Sequence, residues 1–413
     1  MAKIIEFLFL IGIAVSFLPI KVLGLNLTLG DFFYVICFIL ILIEKLKINN
    51  LTFYRMNLLH CIGLYFLVFG SIISTMNSLN PLDSLSTILQ YIFSLTILYY
   101  NVKYLIFMND GYFRKIILAI MLPLSIYASI NFLSFLNIYN YFDYIIVTGS
   151  GRYSGFFGNP NGLGQFMIMN IIIIIYLLYT EKRKRIFRFV LYVSLILSFF
   201  SIMLAASFGS ILTLFTTMLI TIIVLQRKIK FNNKKLISFT FLFALLTAFS
   251  NRIIEIVQNS AIGDVIRNRL ATNSDGIGSS SMRMDLNIEG LSHFFQNPLI
   301  GTGYSQFSQI SIYNATIHNT IIGTAAEAGL FGLIGIIILL FFPAAYILKL
   351  YFSSDISIDR NTFFFFLSYS IYRIIATAST GHYINREQWI IILIIFATRE
   401  HLANRNKKWG EGA

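Results

Sequence analysis

Long apolar stretches separated by shorter polar ones run along the whole chain. A helix needs about 20 apolar residues to cross the ~30 Å hydrocarbon layer of a membrane, and the pattern predicts about twelve such helices. Their predicted positions are near 4–20, 28–43, 57–75, 85–107, 116–136, 161–180, 187–206, 208–226, 236–250, 317–347, 362–380 and 388–399. We therefore expect an all-α polytopic integral membrane protein, with residues 1–413 forming a single membrane domain.

One polar stretch is much longer than the others and separates the ninth predicted helix from the tenth. It covers residues 251–316 and is predicted to form a large loop on the outer (periplasmic) side. Part of it, MRMDLNIEGLSHFF, has apolar residues at helical spacing and ends at an Asn-Pro turn. Loops of this length inside compact proteins are often lids or binding loops. The tenth helix is long enough to be tilted or broken near Gly332 and Gly335.

Composition and charge support a membrane protein. The 413 residues are 57% hydrophobic and only 12% charged, and the mean hydropathy is +0.76, which excludes an ordinary soluble globular protein. The net charge of +13 could indicate a nucleic-acid partner. With the N-terminus inside, however, 23 of the 31 lysines and arginines fall in inner segments and 7 in outer ones, as the positive-inside rule requires. We therefore expect cytoplasmic termini and no nucleic-acid partner.

The outer cations are mostly arginine, six of the seven. The planar guanidinium suits bidentate binding of phosphate or carboxylate. Arg152 is an isolated cation beside the start of the sixth predicted helix, where free N–H groups already favour an anion, and Asn161 is placed to cap that helix. Arg283 lies in the large outer loop, and its pairing with acids of the same loop is the alternative.

The start of the tenth predicted helix combines a polar pair with small residues, in NATIHNTIIGTAAEAGLFGLIG (314–335). His318, in the first predicted turn beside Asn319, could serve as a general base toward a hydroxyl, because histidine titrates near neutral pH. A structural role at the membrane boundary is the alternative. In one straight helix Glu327 lies about 180° around the axis from His318, which argues against a direct dyad. An acid inside a membrane needs a partner, and we expect Arg373.

Neither of the two cysteines belongs to a disulfide or zinc pattern, and no cluster of acids or histidines resembles a metal site. A metal-independent reaction without a cofactor therefore fits the sequence better than a metal-dependent one.

Four segments, taken in order, resemble the superfamily of O-antigen ligases and Wzy-type O-antigen or capsule polymerases. They are GRYSGFFGNPNGLGQF (151–166), SFGS (207–210), MRMDLNIEGLSHFFQNPLIGTG (282–303) and HNTIIGTAAEAGLFGLIG (318–335). The histidine-asparagine pair followed by a Glu-x-Gly-Leu-x-Gly helix is the most specific part. The resemblance implies a GT-C-like, metal-independent glycosyltransferase of the bacterial inner membrane, which acts in the synthesis of cell-envelope polysaccharide such as lipopolysaccharide O-antigen.

The resemblance also implies substrates and roles. The donor would be a glycan on undecaprenyl diphosphate, the acceptor a glycan hydroxyl, and a chain-length regulator and a flippase are the partners it suggests besides membrane lipid. His318 would be the base or acceptor-positioning residue, and Arg283 would hold the diphosphate, with Arg152, Asn319 and Asn161 as further substrate-binding residues. Family members often have a serine-arginine pair at the short turn, but here Ser207 is followed by Phe208. Unless that role is lost, Arg152 or another outer arginine must supply the charge.

Three interpretations of the function stay open at this point. We favour a polymerase, which joins lipid-linked repeat units into O-antigen or capsular polysaccharide at the outer face of the inner membrane. The first alternative is a ligase that passes the lipid-linked glycan to lipid A core. The second is a flippase or transporter of lipid-linked glycans, although the sequence contains no inverted repeat of the kind common in transporters.

Overall fold

The structure is a computed structural model that describes residues 1–17, 28–108, 111–136, 152–157, 159–180, 185–226, 280–352, 360–379, 381 and 386–410. The regular secondary structure in these ranges is helical and includes no strand, as expected for an all-α protein. The helices are α1 (Ala2–Ser16), α2 (Leu29–Lys47), α3 (Leu58–Ser74), α4 (Pro81–Ile92), α5 (Leu98–Met108), α6 (Tyr112–Phe135), α7 (Pro160–Thr180), α8 (Arg185–Leu204), α9 (Phe208–Gln226), α10 (Ser280–Gln296), α11 (Phe307–Ile310), α12 (Thr320–Phe352), α13 (Arg360–Ala376) and α14 (Arg386–Gly410).

Six helical segments in the described part of the chain are long and apolar enough to cross a membrane. They are Leu58–Asn77, Pro81–Met108, Tyr112–Phe135, Pro160–Thr180, Arg185–Leu204 and Thr320–Phe352. The protein is therefore a helical membrane protein, and the total of about twelve spans stays a prediction. The ninth predicted helix (236–250) and the first part of the predicted outer loop (251–279) lie outside the described residues.

The chain divides into two compact units. One comprises Met1–Leu124 and Ser281–Ala413, and the other comprises Ser125–Ser280. In the first unit α3 packs along α12, α1 packs against α2, and α5 packs against α14. In the second unit α7 packs against α8 and α9. The single membrane domain over residues 1–413 stays a prediction.

Small residues bring the backbones of α3 and α12 into contact. A Cβ atom on Gly70 would lie 2.4 Å from the backbone nitrogen of Gly332, and one on Gly335 would lie 2.3 Å from that of Leu67. Only a hydrogen fits at either position, so glycine permits the two helices to approach closely. This contact fixes the part of α12 that follows Gly329.

Helix α12 is broken at Gly329, which has φ 63° and ψ −161°. A break was expected near Gly332 and Gly335, and it lies three residues before the first of them. The physical reason is the contact with α3, which both of those glycines make within regular helix. Gly329 is the residue that takes the left-handed conformation, which glycine adopts without strain.

Candidate functional site

The break in α12 is filled by the turn that follows α10. At the break, carbonyls of the first helical segment and an amide of the second lose the partners that a continuous helix would provide. The turn pairs with these groups instead. The hydrogen bonds are Leu330 N to Pro298 O (2.7 Å), Thr302 N to Ala326 O (3.0 Å) and Gly303 N to Glu327 O (3.2 Å). The turn and the start of α12 are thereby joined into one structural piece.

The side chain of Glu327 belongs to the same connection. Glu327 is buried, and its carboxylate accepts hydrogen bonds from the amides of Ser305 (2.8 Å) and Phe307 (3.0 Å). Hydrogen bonds to a carboxylate are among the stronger ones in proteins. The carboxylate of Glu327 therefore binds the backbone of the turn that leads into α11.

Arg373, the expected partner of Glu327, lies fully buried in α13. Its guanidinium donates to the side-chain oxygen of Gln388 and lies over the ring of Trp389, 5.8 Å from the ring centroid. Both contacts are with α14. The pairing of Glu327 with Arg373 stays a prediction.

His318 and Asn319 precede α12, which begins at Thr320. The expectation that the pair lies in the first helical turn was therefore wrong. The side-chain oxygen of Asn319 accepts from the amides of Ile321 (3.1 Å) and Ile322 (3.2 Å), which is the geometry of a helix cap. Because of this cap the helix begins after His318. The 180° separation expected for His318 and Glu327 on one straight helix therefore does not apply.

The cap is anchored on α13. Thr320 donates its amide hydrogen to the carbonyl of Thr377 (2.9 Å) and its hydroxyl hydrogen to that of Gly381 (2.7 Å). The start of α12, and with it the segment that carries His318, is held at the C-terminal end of α13.

Helix α10 carries Arg283 toward His318. Arg283, Leu286 and Gly290 share one face of α10, because they are three and seven residues apart. Leu286 lies in a buried cluster with Ile317, and a Cβ on Gly290 would lie 2.4 Å from the side chain of Ile317. The face that carries Arg283 thus packs beside the residue before His318.

The electrostatics of the pair are consistent with this packing. The pKa of His318 lies below the ordinary value for histidine, first because burial desolvates the charged imidazolium and second because Arg283 repels it. A neutral imidazole can accept a proton, and the neighbouring guanidinium can hold an anion. The structure therefore brings together a base and a cation that come from two sides of the turn.

The acids of α10 contact the segment after α11. Glu289 accepts from the hydroxyl of Ser311 (2.8 Å) and the amide of Ile312 (2.9 Å), and Asp285 accepts from the hydroxyl of Tyr313 (3.4 Å). These bonds hold the chain that leads to His318 against α10.

A second polar cluster lies in the unit Ser125–Ser280, at the short turn between α8 and α9. Arg152 is buried there, and it donates to the carbonyl of Ala205 (3.0 Å) and the side-chain oxygen of Asn161 (3.3 Å). The hydroxyl of Ser207 donates to the same oxygen of Asn161 (3.1 Å). Arg152 thus brings a guanidinium to the turn at which the resemblance expects an arginine.

Asn161 does not cap α7 as the sequence led us to expect. The side-chain oxygen of Asn159 accepts from the amide of Gly162 (2.6 Å), so Asn159 is the capping residue. Pro160 is the first helical residue, and proline at that position favours a cap immediately before it. Asn161 binds Arg152 and Ser207 instead.

Sequence reasoning missed one buried ion pair. Arg386, at the start of α14, lies 2.7 Å from Asp31 of α2, and both side chains are almost inaccessible. Asp31 also forms a capping box with Thr28, and the Thr-x-x-Asp pattern before an apolar run was a signal for that cap. The pair ties the starts of two helices together.

Among the residues that the structure describes, no group of three or more histidine, cysteine, aspartate or glutamate side chains is arranged to hold a metal ion.

Residues 193–337 match the family model described as O-antigen ligase. This match confirms the resemblance to the O-antigen ligase and Wzy superfamily. The matched segment contains Ser207, Arg283, His318 and Glu327, and Arg152 lies before it. No curated protein sequence matches the chain significantly.

Proposed function

We propose that the protein is a membrane glycosyltransferase that joins glycans carried on undecaprenyl diphosphate. The observation that carries the proposal is the packing of the helix of Arg283 beside the segment of His318, through Leu286, Gly290 and Ile317, within the part of the chain that matches the O-antigen ligase family. Two further observations support it: the membrane character of the helices and the buried Arg152 at the turn that contains Ser207.

In the proposed reaction a hydroxyl oxygen of the acceptor sugar attacks the anomeric carbon of the donor glycan. The bond between that carbon and the diphosphate oxygen breaks, and undecaprenyl diphosphate leaves with the electron pair. His318 takes the proton of the hydroxyl, and Arg283 neutralises the charge that develops on the leaving group. No metal or cofactor takes part. Arg152, which donates a hydrogen bond to Asn161, is proposed as a further diphosphate-binding residue within the unit Ser125–Ser280.

We favour a polymerase, whose acceptor is a second lipid-linked repeat unit and whose product is O-antigen or capsular polysaccharide. The alternative is a ligase, which transfers the same donor to lipid A core. It stays open because the matched family model is described as O-antigen ligase. Both enzymes need the same base and cations and differ in the acceptor that they bind. The flippase interpretation has no support in the family match.

The proposal includes a wider architecture. It has about twelve spans in a GT-C-like arrangement, with both termini in the cytoplasm and the site at the outer face of the bacterial inner membrane. The donor is then presented on the side where Arg283 and His318 lie. A chain-length regulator and a flippase are the proposed protein partners.

The test is purified protein in detergent with two substrates, lipid-linked repeat units alone and repeat units together with lipid A core. A polymerase yields a ladder of longer lipid-linked glycans from repeat units alone, and a ligase yields product only when the core is present. In either case we expect EDTA to have no effect. Arg188→Ala is a matched control for substitution of Arg283, because Arg188 lies on α8 and its described contact is with Tyr192 on the same helix.

Two results would contradict the proposal. One is transport of lipid-linked glycan across vesicles with no joining of glycans in either reaction. The other is a loss of glycan joining on chelation that returns when a divalent metal is added.

A further inference from the structure

Phe307 connects the helix of Arg283 with the segment of His318. Its side chain lies in a buried cluster with Leu286 of α10 and with Ile317. The ring also meets His293 of α10 edge to face, with the ring centroids 5.8 Å apart. A shift of Phe307 would therefore move α10 relative to the residue that precedes His318.

The position of Phe307 is set by Glu327. The carboxylate of Glu327 accepts from the amide of Phe307 and from that of Ser305, and the carbonyl of the same residue accepts from Gly303. One residue therefore holds both ends of the turn 303–307. The carbonyl can do so because the break at Gly329 takes it out of the regular pairing of α12.

We propose that Glu327 is a positioning residue that holds Phe307, and through Phe307 holds α10, so that Arg283 lies beside His318. The inference rests on the proposed function only for its effect on glycan transfer. Glu327 is buried, and both of its carboxylate oxygens bind backbone amides. It acts through the turn and makes no contact with substrate.

The chemistry of the side chain makes the proposal specific. An ionised carboxylate has two acceptor oxygens and no donor, whereas an amide has one acceptor oxygen and an NH₂ group. Glu327→Gln therefore keeps the size of the side chain but directs a donor at one of the two backbone N–H groups. The turn should be partly released while the packing around residue 327 is preserved.

Gly301 offers a matched variant that loosens the same turn and leaves the carboxylate in place. It has φ 77°, and a Cβ there would lie 2.3 Å from the carbonyl oxygen of Glu327. Gly301→Ala should reproduce the effects of Glu327→Gln. If one of the two variants fails to fold, the other still tests the proposal.

The experiment is hydrogen exchange on purified full-length protein, with the glycan-joining assay on the same samples. In both variants we expect faster exchange at residues 305–307 and along α10, with α3 unchanged. We expect kcat/KM for glycan joining to fall about 100-fold, the loss typical of a misplacement of about 1 Å. The acidic limb of the pH–rate profile should also move to higher pH, because Arg283 no longer repels the charged form of His318.

Two outcomes would overturn the proposal. One is unchanged exchange at residues 305–307 and α10 in Glu327→Gln. The other is faster exchange with activity and pH profile as in the wild type. If the wild-type protein joins no glycan at all, the proposed function fails, and the exchange of α10 still decides whether Glu327 holds that helix.

Discussion

Arg283 and Arg152, the two arginines proposed to bind diphosphate, lie in different units of the chain and are held in different ways. Arg283 is half-buried, and its helix is positioned by other residues, through the packing of Leu286 and Gly290 against Ile317. Arg152 is buried, and it donates hydrogen bonds to Ala205 and to a side chain of α7. The helix of Arg283 is positioned by packing, whereas the side chain of Arg152 itself holds the turn before α9 through hydrogen bonds.

Because of this difference, the contribution of an arginine to anion binding can be measured apart from its contribution to stability. A guanidinium that holds a turn has fewer donors left for an anion, because Arg has five N–H groups in a fixed fork. Because Arg283 is half-buried and Arg152 is buried, substitution of Arg283 should cost less stability than substitution of Arg152. Substitution of Arg152 should act on both the reaction and the stability of its unit.

The largest effect is expected at the base beside Arg283. His318→Ala should lower kcat for glycan joining by a factor of roughly 100 to 10,000, the range typical for loss of a general base. The donor KM should change little, since the diphosphate is held by the arginines. The measurement is steady-state kinetics on protein whose melting temperature equals that of the wild type. Activity within twofold of the wild type would remove His318 from the reaction.

The next effect distinguishes the two arginines directly. Lysine keeps the charge but loses the planar fork. Arg283→Lys should weaken donor binding about tenfold and lower the melting temperature less than Arg152→Lys does, because Arg283 is only half-buried. Arg152→Lys should weaken it as well and also lower the melting temperature, because a buried acceptor such as the carbonyl of Ala205 loses its donor at a cost of about 1–3 kcal/mol.

Donor titration and thermal unfolding of the two variants measure this contrast. Equal stability losses in the two variants would show that the arginines do not differ in the way that the structure indicates. Loss of stability in Arg283→Lys alone would reverse the comparison.

The same contrast shows what could be predicted from the sequence. Helix positions follow from hydropathy, because a span must present apolar side chains over its whole length. His318 could be singled out because a titratable base at the outer end of a predicted helix is unusual in so apolar a chain, and Arg283 because it is an arginine in the large outer loop to which the resemblance assigns the diphosphate. Their proximity needed the structure, since it depends on the packing of Leu286 against Ile317.

The partners of polar side chains were harder to predict. Glu327 binds backbone amides. Nearly every residue has a backbone amide, so the sequence does not indicate which ones will bind a carboxylate. The first half of α12 contains four glycines, and the sequence alone does not indicate which of them forms the break; the contacts of Gly332 and Gly335 with α3 lie within regular helix, and Gly329 takes the left-handed conformation. Asn159 could have been chosen as the cap over Asn161 on chemical grounds, because Pro160 marks the first helical residue.

A smaller effect concerns pH. Because burial and Arg283 lower the pKa of His318, the base stays neutral and active below the ordinary pKa of histidine, and activity falls only as the pH drops through the lowered value. Arg283→Gln removes the repulsion, so the acidic limb of kcat/KM against pH should move to higher pH. An unmoved limb would mean that Arg283 does not act on His318.

The smallest effect is expected at Asn319, which the sequence placed in the binding site and the structure places in the cap of α12. Asn319→Ala should cost about 1 kcal/mol of stability, the usual value for loss of an N-cap. Asn319→Asp should keep the cap and most of the activity. Thermal unfolding and activity of the two variants decide between cap and ligand, and inactive but stable Asn319→Asp would favour a ligand.

The central claim is that His318 and Arg283 act together on one transfer step. A double-mutant cycle in kcat/KM for glycan joining tests it most directly, with His318→Gln, Arg283→Gln and the double variant. The account predicts that the double variant loses at least about tenfold less than the product of the two single losses, because residues that act as a unit are not additive. Losses that multiply to within twofold would mean that the two residues act independently, which would contradict the account.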